Sequence, residues 1–155
     1  YDTNLRLKLW SLEQARETIQ KTIPFSDFLF PSLEDSIILT ELTEPTDIVE
    51  YYLKNGAKLV ALKLGSEGVL VANKDSCYKI NGKVVETVDA TGAGDSFNGA
   101  FLSEWLRHGN PLESAQYANA AAALSTTGIG AVEPIPDRLD VENFLKSSSN
   151  QVCKS

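Results

Sequence analysis

The chain has 155 residues, of which 43% are hydrophobic and 8% aromatic, so it is long and apolar enough to bury the core of one domain. A charged fraction of 23% is not that of a disordered chain, and no run of about 18 apolar residues is present that could span a membrane. The formal net charge of −7, without a cluster of Lys and Arg, argues against nonspecific binding to nucleic acid or to anionic membranes. We therefore expect a soluble, folded protein that binds an anion only through local geometry.

The two cysteines, Cys77 and Cys153, do not have the dense spacing of a secreted disulfide scaffold, which favours a reducing compartment, the cytoplasm. The sequence contains no methionine and begins at Tyr1 in what reads as the end of a strand, without a charged leader. We interpret it as a piece of a longer protein.

Short β-rich runs alternate with helical patterns in the first half, which predicts an α/β protein with a mainly parallel sheet. Ser11 and Gln14 form a capping box. Gly65 and Gly68 frame a tight turn between two apolar runs, which predicts a β-hairpin. The elements predicted in this half are a helix from Leu12 to before Pro24, a strand at 27–30, helices at 33–42 and 45–53, and strands at 58–64 and 69–72.

The second half is predicted to be helical after a turn at Asn81-Gly82. Helices are expected at 95–106, at 112 to about 125 and at 141–145, with a loop at 128–131, an extended connector at 134–136 and a frayed polar tail. The middle helix is rich in alanine and can press closely against a neighbour.

A glycine-rich segment at 87–97 joins a strand end to a helix N-terminus. Small residues allow backbone N–H groups to turn inward beside the positive end of the helix, which makes an anion cradle. Asp95 would repel a phosphate held there, so a general base explains it better than a ligand: it can accept a hydroxyl proton while the amides of Gly92, Ala93 and Gly94 hold a transferring phosphoryl group.

The alternative is an ordinary glycine-rich turn in which Asp95 only complements the helix dipole. Two other nucleotide motifs fail on spacing. A dinucleotide-binding fingerprint needs a small residue where Phe97 stands, and the P-loop pattern is absent. The residues alone leave the first two interpretations about equal.

The run Asp89-x-Thr91-Gly92-Ala93-Gly94-Asp95-Ser96-Phe97 resembles the second signature of the ribokinase-like (PfkB) sugar kinases. The resemblance implies a three-layer α/β/α sandwich with a mainly parallel central sheet, of which this chain is the C-terminal portion. It also implies that Asp95 is the catalytic base and that Gly92, Ala93 and Gly94 form the anion hole.

Two further segments resemble the nucleotide site of that family. The turn that follows Lys63 resembles the nucleotide-binding turn, with Gly65, Ser66 and Gly68 as its residues, and the helix around Asn119 resembles the one beside the adenine. Each of these patterns alone is ordinarily structural; their order relative to Asp95 makes all 155 residues resemble a C-terminal half.

Ser32 and Asp35 align with the N-x-x-E motif that orders magnesium indirectly in the family, although Asn and Glu are both replaced. They also form an acidic relative of the capping box, and both roles can hold together. The P-S-x-x-[DE] form is typical of 2-keto-3-deoxygluconate kinases.

The segment Asp2-x-Asn4-x-Arg6-x-x-Leu9-Trp10 resembles the same kinases, and fructokinases share it. The resemblance places it at the substrate cleft, where we expect Asn4 and a buried Arg6 to contact the acceptor, with Arg6 holding a sugar-acid carboxylate or the transferring phosphate. The alternative for Arg6 is a surface salt bridge.

The resemblance also implies a monovalent-cation site in which Asp89 and Thr91 join backbone carbonyls between Thr126 and Ala131. The alternative is that Asp89 only anchors the turn. His108, at a helix C-terminus, is expected to be a solvated dipole partner without a catalytic role.

The expected function is ATP-dependent phosphorylation of a sugar or sugar acid, with 2-keto-3-deoxygluconate favoured and fructose as the alternative, using Mg²⁺ and K⁺. The family's N-terminal half and lid have no counterpart here, so the chain alone would be inactive or would bind nucleotide only. A truncated, noncatalytic nucleotide-binding module is the alternative from another class. Expected partners are ATP and the small acceptor, with neither nucleic acid nor membrane, and a second copy of the chain is a further candidate (homodimer).

Overall fold

The computed structural model describes residues 1–149 and divides into two compact units, which meet in sequence between Ile80 and Asn81. The side chains of Ser148 and Ser149, Cys153 and the polar tail predicted to fray lie outside the described residues. Within the described part, no helix combines the length and the apolar character needed to cross a membrane.

The first unit is built on a four-stranded sheet of order β1-β2-β3-β4. Its strands are β1 (Phe28–Leu29), β2 (Leu59–Lys63), β3 (Gly68–Asn73) and β4 (Cys77–Asn81). β1 and β2 are parallel, with Phe28 opposite Leu59, whereas β2 and β3 are antiparallel. The sheet is therefore mixed: the expected parallel pairing is found for β1 and β2, and the predicted hairpin between Gly65 and Gly68 reverses the chain for the next pair.

Three helices pack in the first unit, namely α1 (Leu12–Thr22), α2 (Leu33–Thr40) and α3 (Pro45–Lys54). The capping box of Ser11 and Gln14 is present in full at the start of α1. α2 ends two residues earlier than predicted, because Glu41 adopts a left-handed conformation and its amide donates to Ile37 O. Tyr52 on α3 is fully buried in a core that includes Leu29, Ile48, Val60 and Leu62.

The N-terminal residues run beside β1. The amino group of Tyr1 donates to Phe28 O at 2.6 Å, and the amide of Phe30 donates to Tyr1 O at 2.9 Å. This is the bonding of a strand residue, but the following residues form no strand, so the predicted strand end is limited to Tyr1. The segment 1–6 is thereby held at the carboxyl end of β1.

The second unit contains α4 (Ala93–His108), α5 (Pro111–Ser125) and α6 (Arg138–Ser149). Gly109 ends α4 in the left-handed conformation, and Asn110 caps α5 through the amides of Leu112 and Glu113. α6 begins at Arg138 and is longer than the predicted 141–145. The predicted turn at Asn81-Gly82 is wrong, because Asn81 is the last residue of β4 and a segment without regular secondary structure follows.

The alanine-rich face of α5 is buried as predicted. Ala118, Ala120 and Ala121 are at most 5% exposed. Ala100 of α4 packs against a cluster that contains Ala120, Ala121 and Val141 of α6. Methyl groups at these positions let the backbones of α4 and α5 approach closely, which fixes α4 and therefore its N-terminus.

Candidate active site

The carboxylate of Asp89 joins the segment that leads into α4 to the loop that follows α5. Its Oδ1 accepts the amide of Thr91 and its Oδ2 accepts the amide of Gly130, both at 2.9 Å. The hydrogen bond from the Thr91 side chain, followed by these backbone hydrogen bonds, lowers the pKa of Asp89. Asp89 is therefore held in its charged form beside the glycine-rich segment.

A second connection between the same segments involves Thr126. Its carbonyl oxygen accepts the amides of Val88 at 2.8 Å and Asp89 at 3.1 Å. The structure thus brings together Asp89, Thr91 and Thr126, three of the four residues predicted to hold a monovalent cation. Both oxygens of Asp89 and the Thr126 carbonyl already accept backbone N–H groups, which is the anchoring role given above as the alternative.

Gly92 occupies a position that a residue with a side chain fits poorly. Its φ is 78°, in the left-handed region, and a Cβ added there would lie 2.8 Å from Ala131 Cβ and 3.1 Å from Ala131 Cα. The backbone of Gly92 therefore passes directly against Ala131, the fourth residue of the predicted cation site. The glycine is required both by conformation and by the close approach of the loop.

The N-terminus of α4 has no side-chain cap. The amide of Ala93 donates to Ala90 O at 3.2 Å, and the first bond of the helical pattern runs from the amide of Ser96 to Gly92 O. The amides of Gly94 and Asp95 thus precede the first such bond, at the positive end of the helix. Among the amides predicted to form the anion hole, the amide of Gly94 has no intrahelical acceptor, whereas the amide of Ala93 already donates to Ala90 O.

Asp95 is exposed in the first turn of α4 and lines a cavity of about 340 Å³. The cavity lies between α4, α5 and the loop before α6; Ser96, Gly99, Tyr117, Ala131, Ile135 and Pro136 are among its other lining residues. A carboxylate at its wall, beside helix amides without intrahelical acceptors, can accept a proton from a hydroxyl group bound there. Sequence reasoning did not identify Tyr117, Ile135 and Pro136 as cavity residues, because Tyr117 lies within a helix and the other two in the predicted connector, and no local pattern brings these segments together.

Asn119 on α5 is only 7% exposed, and its Nδ2 donates to Asn81 O at 2.8 Å. The side-chain amide thus secures the residue that ends β4. Its predicted nucleotide role remains a prediction.

In the first unit, the segment 1–6, the motif of Ser32 and Asp35, and Lys63 lie together at the carboxyl ends of β1 and β2. Ser32 Oγ accepts the amide of Asp35 at 3.2 Å, so Ser32 caps α2. Asp35 Oδ2 accepts the amide of Leu5 at 3.0 Å, and the amide of Lys63 donates to Pro31 O at 2.8 Å. The capping role given above is confirmed, and it also ties the segment 1–6 to α2.

Lys63 forms an ion pair that the sequence did not indicate. Its Nζ lies 2.8 Å from Asp2 Oδ2, and the two side chains are 16% and 28% exposed. Asp2 Oδ1 accepts the amide of Asn4 at 3.0 Å, in a turn where Asn4 has a φ of 35°. The structure therefore brings the predicted nucleotide residue Lys63 and the predicted substrate residue Asn4 to the two oxygens of one carboxylate.

The predicted burial of Arg6 is wrong. Arg6 is exposed, and its Nη1 donates to the carbonyl oxygen of Leu5 at 3.3 Å. The neighbouring Leu5 takes the buried position, because its amide is bonded to Asp35 while Arg6 points away into solvent. A desolvation penalty therefore does not require an oxyanion at Arg6.

The turn that follows Lys63 is a short 3₁₀ turn. Gly65 and Gly68 have φ values of 60° and 101°, and the amide of Leu64 donates to Gly68 O at 2.8 Å. Ser66 is exposed at its tip. Glycine is required at both ends of the turn, so the spacing alone does not separate a structural from a nucleotide-binding role.

The described residues contain no cluster of three or more His, Cys, Asp or Glu side chains that could hold a metal ion. His108 lies 3.8 Å from Glu104 and 3.7 Å from Glu113 and accepts the amide of Asn110 at its Nδ1. It belongs to the connection between α4 and α5.

Comparison with known proteins gives a consistent result. Residues 1–138 match the pfkB family of carbohydrate kinases. The chain is 34% identical over 150 residues to the 2-dehydro-3-deoxygluconokinase of Bacillus subtilis, covering 95% of this chain and 46% of that protein. It is 35% identical over 158 residues to probable fructokinase-5 of Arabidopsis thaliana, covering 96% of this chain and 49% of that protein.

Among solved structures, a protein named ribokinase II from E. coli, in complex with ATP and Mg²⁺, superposes with a TM-score of 0.85 at 27% identity. The alignment covers 94% of this chain and 47% of that one. The chain spans about half the length of the curated relatives it matches. The ribokinase-like fold is confirmed, and the chain belongs to the pfkB family of carbohydrate kinases.

Proposed function

We propose that this chain is the C-terminal, nucleotide-binding and catalytic part of an ATP-dependent kinase that phosphorylates a hydroxyl group of a sugar or sugar acid. The observation that carries the proposal is the exposed carboxylate of Asp95, which lines a cavity of about 340 Å³ beside the uncapped N-terminus of α4. The test is mass-spectrometric detection of sugar phosphate and ADP formed by the full-length protein from ATP and a panel of sugars. Absence of transfer to every acceptor, with nucleotide binding retained, would favour the noncatalytic module.

In the proposed reaction, Asp95 accepts the proton of the acceptor hydroxyl. The hydroxyl oxygen then bonds to the γ-phosphorus of ATP while the bond between that phosphorus and the leaving ADP oxygen breaks. The amides at the start of α4, above all that of Gly94, stabilise negative charge on the transferring group. Asn119 and the turn formed by Lys63, Gly65, Ser66 and Gly68 contact the nucleotide in this proposal.

Ser32 and Asp35 are the residues proposed to act towards Mg²⁺ through water. The fit is indirect, because Ser32 Oγ caps α2 and Asp35 Oδ2 accepts the amide of Leu5, which leaves Oδ1 of Asp35 for a metal-bound water. When bound, the ion neutralises charge on the ATP phosphates. Asp35 also keeps the segment 1–6 in place.

The proposed acceptor is 2-keto-3-deoxygluconate, with fructose as the alternative. Relatives named for each substrate are 34% and 35% identical to this chain, so identity does not separate them. Arg6 supports the sugar acid, because a guanidinium group can hold a carboxylate in a bidentate manner. Asn4 lies in the same segment and is proposed to contact an acceptor hydroxyl.

Substitution Arg6→Ala is expected to lower kcat/KM for 2-keto-3-deoxygluconate by roughly ten- to a hundredfold, the scale for one hydrogen bond to a charged group. Arg6→Lys should recover only part of the loss, because a point charge replaces a planar fork. The check is steady-state kinetics of the full-length protein with the sugar acid and with fructose. An equal fractional loss on both substrates would assign Arg6 to the phosphate, and a wild type that prefers fructose would reject the sugar-acid proposal.

We propose that K⁺ binds near Asp89 and Thr91, with backbone carbonyls between Thr126 and Ala131. Because the Thr126 carbonyl already accepts two amides, the Ala131 carbonyl is the better ligand of the two. Replacing Tris by K⁺ is expected to raise activity or ATP affinity, since the ion offsets the negative charge of Asp89 beside the anion hole. The measurement is turnover in buffers free of Na⁺ and ammonium, with and without K⁺; equal rates would contradict the site.

We propose a reducing compartment, the cytoplasm, because Cys77 and Cys153 do not have the dense spacing of a secreted disulfide scaffold. A homodimer stays a candidate assembly that light scattering of the full-length protein would test.

A further inference from the structure

We infer that Asp2 is a positioning residue that holds the ammonium group of Lys63 and, through the same carboxylate, links the nucleotide side of the first unit to its acceptor side. The inference rests on the proposed function, which assigns Lys63 to the nucleotide and Asn4 to the acceptor. Asp2 was given no role of its own by the sequence.

The first step is the ion pair. Asp2 Oδ2 lies 2.8 Å from Lys63 Nζ, and the side chains are 28% and 16% exposed, so the pair is less hydrated than those on the surface. Water screens such a contact less effectively than an exposed one, and the contact restricts the rotamers of the long Lys63 side chain. Asp2 therefore fixes where the Lys63 ammonium group lies.

The second step is the turn formed by the other oxygen. Asp2 Oδ1 accepts the amide of Asn4 at 3.0 Å, and Asn4 is one of two non-glycine residues in the described chain with positive φ. Positive φ is strained for a residue with a side chain, and the hydrogen bond to Asp2 Oδ1 stabilises this conformation of Asn4. The same carboxylate therefore contacts both the backbone of Asn4 and the ammonium group of Lys63.

The third step is the surrounding frame. The amide of Lys63 donates to Pro31 O, and the amide of Leu5 donates to Asp35 Oδ2. Lys63 and the segment 1–6 are therefore both attached to the carboxyl ends of β1 and β2, independently of the contact between Asp2 and Lys63. A shift of the segment 1–6, which is proposed to contact the acceptor, moves Asp2 and with it the ammonium group of Lys63. The affinities for acceptor and for nucleotide are therefore coupled through Asp2.

The pair formed by Asp27 and Lys58 provides a matched control. It joins the same residue types near the amino ends of β1 and β2 at 2.6 Å, but its side chains are 66% and 75% exposed. Asp27→Asn removes the same charge from the first unit without touching the cluster at the carboxyl ends.

The experiment is a double-mutant cycle on the full-length protein, with ATP affinity from calorimetry, KM and kcat from kinetics, and the thermal midpoint of each variant. We expect Lys63→Ala to weaken ATP binding about tenfold or more, the scale for one hydrogen bond from a charged group, and Asp2→Asn to weaken it comparably because it displaces Lys63. In the Lys63→Ala background, Asp2→Asn should change ATP affinity less than about twofold. Asp2→Glu should restore part of the affinity, and Asp27→Asn should leave it unchanged.

A further readout is the ratio of ATP affinities with and without acceptor, which should fall towards one in Asp2→Asn. The inference is overturned if the losses of ATP affinity in the two single variants multiply in the double variant, or if either single variant binds ATP normally. It is also overturned if the loss follows a lowered thermal midpoint and Asp2→Glu does not restore it. In those outcomes the wild type still binds ATP and transfers phosphate, so the proposed function stands. A wild type that binds no ATP rejects both.

Discussion

Asp95→Asn in the full-length protein is expected to lower kcat by roughly a hundred- to ten-thousandfold, the range for a positioned general base, while ATP affinity changes little. An asparagine at this position keeps the shape of the side chain but cannot accept the hydroxyl proton. The measurement is steady-state and single-turnover kinetics together with ATP titration. The carboxylate is exposed at the cavity wall, so its replacement leaves no buried group unpaired.

A matched control for Asp95→Asn is Asp47→Asn. Asp47 is an exposed acid in the first turn of α3, as Asp95 is in the first turn of α4, and each is the third residue of its helix. Both substitutions remove the same interaction with a helix dipole, which contributes about 0.3–1 kcal/mol of stability. If Asp95→Asn lowers turnover no more than Asp47→Asn does, Asp95 is a helix-end residue and not a base.

Gly92→Ala is expected to lower the free energy of unfolding by about 2–5 kcal/mol and to disrupt the anion hole. The left-handed conformation costs a residue with a Cβ roughly 1–2 kcal/mol, and the contact with Ala131 adds an overpacking penalty of about 1–3 kcal/mol. Because Ala131 has no flexible side chain, relief requires movement of the loop after α5. Urea denaturation followed by circular dichroism measures the loss, and turnover measures the damage to the site.

Gly109→Ala separates the two contributions. Gly109 also has a left-handed φ, 66°, but a Cβ there would meet no atom within 4 Å. It should therefore show only the conformational cost of roughly 1–2 kcal/mol. Equal destabilisation by the two substitutions would mean that the approach of Ala131 to Gly92 contributes nothing.

Local signals predicted most of the elements. The capping box at Ser11, the proline at the start of α3, the glycines of the hairpin and the Gly109-Asn110-Pro111 boundary act within a few residues, and the structure has each of them where the sequence placed it. The ends of α2 and α6 differed. Glu41 ends α2 by adopting a left-handed conformation, and Arg138, where α6 begins, pairs with Glu104 of α4, which is distant in sequence.

The site was predictable where one contiguous segment carries the chemistry, as it does from Asp89 to Phe97. Contacts between distant residues were not. Asp2 and Lys63 are separated by 61 positions, and Asn119 and Asn81 by 38, so no sequence period brings them together. Arg6 was predicted to be buried because of its motif. The hydrogen bond from the Leu5 amide to Asp35 instead places Leu5 in the interior and leaves Arg6 exposed.

The methyl-lined contact between α4 and α5 has a consequence for motion. Alanine has no side-chain rotamers, so Ala100, Ala120 and Ala121 lose no side-chain entropy on folding, and at these positions no rotamer change can accommodate sliding of one helix along the other. A contact that cannot rearrange passes a displacement of one helix on to the other. We therefore expect α4 and α5 to move as one rigid body, so that thermal fluctuation of the carboxylate at the start of α4 is set by the whole pair and not by one helix end.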